Sequence, residues 1–161
     1  MIRVIVLACA LFLSACAVHA PVPAQLPHIK FPQQLHVQRD QGREHEELRL
    51  DIKKQRHGVL CALMDTSGNL LGQQQLNEET WKKGEERARD RETRELCAAA
   101  LFALTPERDV PFNYPGVELR PHGRSLDERW SVDYASEGFF RISLDDGLRY
   151  VLSPLRGKAG H

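Results

Sequence analysis

Past residue 13 the 161-residue chain has no long apolar run, which excludes a bilayer-crossing helix from the body of the protein. Neither charge is in excess. The 22 basic residues match 22 acidic ones, so no global field points to nucleic acid. Aromatics make up only 7% while 27% of residues are charged, the balance of a domain bathed in water on its outside. Catalytic signatures are missing too, with no Gly-x-Ser-x-Gly elbow and no phosphate-cradling glycine loop.

Two segments come close to a chemical motif and fail. His45-Glu46-Glu47-Leu48-Arg49 lacks the second histidine that a zinc-binding His-Glu-x-x-His helix needs, and its periodicity is that of a strand. Asp65-Thr66-Ser67-Gly68 has the letters of an aspartic-protease loop, but two such carboxylates must share a proton and no second loop exists. It reads as a hairpin turn. The mixed-sign run from Lys82 to Arg91 largely cancels and reads as a solvated face. The expectation is no enzyme, no metal and no cofactor.

What is present begins at the N-terminus. Arg3 precedes an apolar stretch over 4–13 that closes on Leu13-Ser14-Ala15-Cys16. A charged start, a short apolar core and small residues before a cut form an export signal, and ten apolar residues are too few to span a bilayer. The segment resembles the lipobox of bacterial lipoproteins, which are cut just before the cysteine. That resemblance implies a signal peptide over 1–15 and acylation of Cys16. The alternative is an ordinary secreted protein cut after Ala20, with Cys16 discarded. Ala17, where inner-membrane lipoproteins often carry Asp, implies an outer-membrane anchor with the domain facing the periplasm.

Without the first fifteen residues 146 remain, enough for one domain. Residues 16–34 carry Pro21, Pro23, Pro27 and Pro32 without periodicity and read as an extended, lipidated tether. The globular domain is expected over 35–156, with a flexible tail over 157–161. Of the four cysteines, Cys9 goes with the signal and Cys16 to lipid. Export to an oxidising compartment then predicts a Cys61–Cys97 disulfide. Two separately buried thiols are the competing reading. A separation of 36 does not fit a Cys-x-x-Cys redox pair.

Period-two alternation predicts half-buried strands at 35–38 and 48–53. From 57 to 65 both phases are apolar, Val59, Cys61 and Leu63 on one and Leu60, Ala62 and Met64 on the other, which predicts a central, well-covered strand. Its partner runs over 70–76. Leu96, Cys97, Ala100, Leu101 and Leu104 share a helical stripe over 91–104, stopped by Thr105-Pro106. A long irregular connection follows, broken by a short strand at 117–119. Strands return at 130–134, 139–144 and 148–152, the last two joined by an Asp145-Asp146-Gly147 turn. Phe139 and Phe140 must point to opposite faces.

This order predicts an α+β fold: an antiparallel sheet curled into an unclosed half-barrel, with one main helix packed on its concave face. The strand block 48–76 with its Asp65–Leu70 turn, the helix ending at Pro106 and the closing hairpin over 139–152 resemble the LolA/LolB lipoprotein-carrier group. The resemblance implies an apolar interior that accepts an acyl chain, lipid or lipoprotein, and no catalysis. Val59, Leu63, Leu101, Phe140 and Ile142 fall on the inward phase and are the expected lining. The other function open to such a chain is an accessory lipoprotein that binds another envelope protein through its surface, with a filled core.

Overall fold

The structure, a computed structural model, describes residues 20–82, 86–136 and 138–155. The signal segment, Cys16 and the tail expected over 157–161 lie outside the described residues. Nine strands are present: β1 (Gln33–Gln41), β2 (Glu44–Gln55), β3 (Gly58–Asp65), β4 (Leu70–Asn77), β5 (Val117–Arg120), β6 (Gly123–Leu126), β7 (Trp130–Ser136), β8 (Phe139–Leu144) and β9 (Arg149–Pro154). Helix α1 (Asp90–Leu104) follows β4, and a single-turn helix α2 (Val110–Asn113) precedes β5.

All strands belong to one antiparallel sheet in the order β4-β3-β2-β1-β9-β8-β7-β6-β5. The fold is α+β, but the expected curled half-barrel with a helix on its concave face is overturned. The sheet is open, neither curled nor closed, and its edge strands β4 and β5 do not pair. The physical reason is that alternation assigns side chains to faces, and the same pattern fits a sheet of any curvature.

Strand β3 is also misplaced by the sequence reading, since it lies next to the edge and β9 stands at the centre. Leu60, Ala62 and Met64 are accordingly only half-buried. The edge beyond β4 is blunted by the chain turning back on it: Lys82 N–H donates to the Gln75 carbonyl (2.8 Å) and Trp81 bridges Leu76. At the opposite edge β5 is protected by its brevity.

One face of the sheet is apolar from end to end, because the register places like residues side by side. Leu35 and Val37 oppose Leu50 and Leu48, Ile52 opposes Cys61, Leu152 lies between Val37 and Phe140, and Val132 meets Ile142. Leu50, Ile52, Val59, Leu63, Val132 and Ile142 have no accessible surface. Each such side chain contributes about 1.5–3 kcal/mol. Phe140 is buried with them, while Phe139 is 43% exposed on the other side, as alternation requires.

Helix α1 covers this face. Its alanines favour the helix, and Thr105 ends it with its N–H and Oγ both donating to the Leu101 carbonyl. It is buried on all sides between Leu96 and Ala103, beyond the single stripe that periodicity gives, and Leu104 is only half-buried. Gly72 of β4 allows close approach: a Cβ there would stand 2.7 Å from the Arg89 carbonyl and 2.2 Å from Thr93 Oγ1.

Further burial comes from residues 20–32, expected as a tether. These lie against the domain as a strap, with Pro23 and Pro27 buried and Val22, Leu26, Ile29 and Phe31 packed on the core. Trp81 Nε1 donates to the Ala20 carbonyl (3.2 Å), and the N–H groups of Ala24 and Gln25 donate to the Asn113 carbonyl (3.1 Å) and Oδ1 (2.8 Å). The prolines cannot donate to a ladder, so this segment packs through side chains and a few bonds to α2.

Candidate functional site

The end of the sheet that carries the β1–β2, β3–β4 and β8–β9 turns also receives the first turn of α1. Here the inward phase of β1, apolar at Leu35 and Val37, ends in Arg39, which lies opposite Tyr150 of β9. Helix α1 places Glu92 between them. Arg39 Nε donates to Glu92 Oε1 at 2.6 Å, Tyr150 O–H to the same oxygen at 3.0 Å, and Arg89 Nε to Oε2 at 2.9 Å. Arg89 also grips Glu46 of β2 through two bonds (2.7 and 3.0 Å), and Arg39 Nη2 donates to Gln41 (2.9 Å). One turn further along α1, Glu95 accepts two bonds from Arg129 (2.8 and 2.6 Å) and one from Trp130 Nε1 (2.7 Å).

These contacts border a cleft of about 520 Å³ whose floor is Leu144, Leu148 and Tyr150. Asp145 and Asp146 of the β8–β9 turn also line it. Burial alone would raise the Glu92 carboxyl, but hydrogen bonds and charge from Arg89 and Arg39 outweigh it and hold the group below the ordinary range. The Tyr150 hydroxyl is pushed up by burial and by the Glu92 carboxylate beside it.

Chemically the cleft combines the paired charges of Arg39, Glu92, Glu95 and Arg129 with Arg91, Asp145 and Asp146 and the apolar Leu144 and Leu148. Glu92 and Glu95 are committed to guanidinium groups, and among the described residues of its lining there is no serine, threonine, cysteine or histidine. Such a surface suits recognition of a partner bearing polar groups of both signs. Elsewhere, His45 bonds Asp40 (2.6 Å) and Glu47 (2.9 Å). Among the described residues no group of three or more His, Cys, Asp or Glu is placed to hold a metal ion. No described helix is long and apolar enough to cross a membrane.

The residues singled out from sequence fall in the core and not at the cleft. Val59 and Leu63 on β3, Leu101 on α1, and Phe140 and Ile142 on β8 belong to one buried cluster. Cys61 and Cys97 are joined by a disulfide, with Cα atoms 6.2 Å apart, which ties α1 to β3. Cys16 lies outside the described residues. Sequence reading missed Arg39, Glu92, Glu95, Arg129 and Tyr150. One signal was available: Arg39 sits on the apolar phase of its strand, where a charge must find a partner.

No family model matches this chain, and no curated protein matches it.

Proposed function

We propose that this chain is an outer-membrane-anchored periplasmic lipoprotein, acylated at Cys16, that binds another envelope protein through its surface and performs no catalysis. The observation that carries the surface reading is the complete inaccessibility of Val59, Leu63, Leu101 and Ile142. A side chain lining a void large enough for water would retain accessible area, and these have none. This supports a packed interior next to these four side chains. The charged cleft between α1 and the β8–β9 turn is then the surface feature with the chemistry to recognise a partner.

Two measurements test this reading. Fatty-acid labelling should mark the parent protein and not the Cys16→Ser variant; label retained by the variant refutes the anchor. Crosslinking of the full lipoprotein in the envelope should give an adduct that is lost in an Arg39→Glu, Arg129→Glu double variant. A lipid carried through purification and seen by native mass spectrometry would overturn the filled-core reading.

A carrier for an acyl chain, lipid or lipoprotein is the second reading, as the likeness to the LolA/LolB group implies. It is favoured by one observation: the strap over 20–32 has no regular structure and is tied down by scattered bonds at Ala20, Ala24, Gln25, His28 and Lys30. Its displacement would uncover the part of the buried cluster on which Val22, Leu26, Ile29 and Phe31 pack. An apolar fluorescent probe that binds the protein and is displaced by fatty acid would put this reading ahead.

A further inference from the structure

The strap fixes where the membrane must lie. Ala20 is 5% exposed and held by Trp81, and Ala24 and Gln25 are held by Asn113. Four residue steps separate Cys16 from Ala20, which span at most about 14 Å when fully extended. An acylated Cys16 therefore keeps the domain against the bilayer and does not let it float at the end of an eighteen-residue lead. The surface around Ala20 and Trp81 would then lie within reach of the bilayer, and the strap leads from there to α2.

That surface has an unusual residue in the right place. Phe112 of α2 is 61% exposed, the highest exposure among the large apolar side chains of the described residues, and it adjoins the Asn113 that holds the strap. Pro111 beside it is also exposed, and both are fixed on a helical turn that Tyr114 closes by donating its N–H to the Val110 carbonyl (2.8 Å). The charges beside it balance, since Arg108 (81% exposed) lies 3.7 Å from Asp109 and both Glu107 and Lys30 are exposed. An exposed apolar tip close to an acyl anchor is what can enter the headgroup boundary.

We propose that Phe112 and the exposed end of α2 rest in the phospholipid surface that carries the Cys16 acyl chains, so that the anchor and this tip together set the orientation of the domain. The proposal rests on the lipid-anchor reading above. With the membrane beside α2, the charged cleft at the first turn of α1 is left open to the periplasm for a partner.

The test uses the full-length acylated protein in vesicles of phosphatidylethanolamine and phosphatidylglycerol whose acyl chains are brominated. The native Trp81 and Trp130 are buried, so the parent protein supplies the background. The Phe112→Trp protein should gain emission that is shifted to the blue and lost on bromination. Leu70→Trp is the control, since Leu70 lies at the opposite end of β4 from Leu76, which bridges Trp81 beside the strap, about 20 Å away. Its emission should be insensitive to bromine. Mass spectrometry of the same sample reports acylation of Cys16. Acylated Phe112→Trp protein that is no more quenched than the Leu70→Trp control overturns the proposal and leaves the anchor standing. Protein that carries no acyl chain overturns the anchor and the proposal with it.

Discussion

Arg124 of β6 reaches Thr105 beneath the end of α1, its Nη1 donating to the Thr105 carbonyl at 2.7 Å and to the Phe102 carbonyl at 3.0 Å. The last turn of α1 contains no basic residue of its own, so the positive charge that complements its carbonyl end comes from a strand later in the chain. The guanidinium is 6% exposed and stands over the rings of Phe102 (5.8 Å) and Tyr134 (5.3 Å). Tyr134 in turn donates its hydroxyl to the Ala103 carbonyl (2.5 Å), and burial pushes that hydroxyl up to about 12 although Arg124 acts in the opposite direction. The helix end is thus closed by two side chains of the second strand block.

Replacing Arg124 by Met keeps much of the volume and removes the bonds to both carbonyls. Buried carbonyls left unpaired cost about 1–3 kcal/mol, and loss of the ring contacts adds to it. Arg124→Met should lower stability by about 2–4 kcal/mol in denaturant unfolding, and Arg124→Lys by less because one amine still reaches a carbonyl. Equal losses in the two variants would show that the fork geometry and not the charge is what holds the helix.

Reduction of the Cys61–Cys97 bond frees a loop of 36 residues in the unfolded chain. Chain entropy puts the loss at about 3–4 kcal/mol. The Cys61→Ala, Cys97→Ala protein should therefore unfold at clearly lower denaturant, and hydrogen exchange should report faster opening of α1 than of β1 and β2. Thiol titration of the denatured, non-reduced protein, expressed in an oxidising compartment, should find neither Cys61 nor Cys97 reactive.

Gly72→Ala tests how closely α1 lies on β4. The added methyl would overlap the backbone oxygen of Arg89, which cannot turn aside, so the helix must lift or the strand must bend. Overpacking of this kind costs about 1–3 kcal/mol. Gly42→Ala, at a turn where nothing lies within 4 Å, should lose less despite its positive φ of +60°. Thermal unfolding of the two variants gives the comparison.

Glu92→Gln tests the charged end of the sheet. The change leaves Arg39 and Arg89 without the carboxylate they share and should cost about 1–3 kcal/mol at neutral pH. The native carboxyl is held below its ordinary value, so its contribution is present above the unfolded pKa and is lost as pH falls through the folded one. The stability gap between parent and variant should be full at pH 7 and shrink below about pH 4. A gap that stayed constant down to pH 2 would assign the effect to shape and not to charge.

Much of the architecture was legible because local patterns suffice for it. Local patterning, alternation or a short apolar run between turn residues, located eight of the nine described strands, and the alanine-rich stretch before Thr105-Pro106 located α1. β6 was missed because Gly123-Arg124-Ser125-Leu126 has one apolar residue and follows Pro121. Its role is decided by Arg124, whose partners Phe102 and Thr105, at the end of α1, are 22 and 19 residues away in sequence. α2 was missed because a single helical turn with Pro111 in it carries no period. The site was less legible still, since Arg39, Glu92, Glu95, Arg129 and Tyr150 come from three elements and the β6–β7 turn, which no spacing rule connects.

The sequence by itself determined which side of the alternating strands is apolar, where the helix starts and stops, that Phe139 and Phe140 part company, and that Cys61 and Cys97 lie on faces able to meet. Those properties depend on a residue and its near neighbours, through side-chain period and backbone propensity. Only the tertiary structure decided that β1 and β9 join the two meanders into one open sheet, that the proline-rich segment is a strap against the core, and that the charges at one end converge on a cleft. Strand order, curvature and the meeting of distant charges are set by which contacts lower the free energy of the whole chain together, and a local pattern is compatible with many such arrangements.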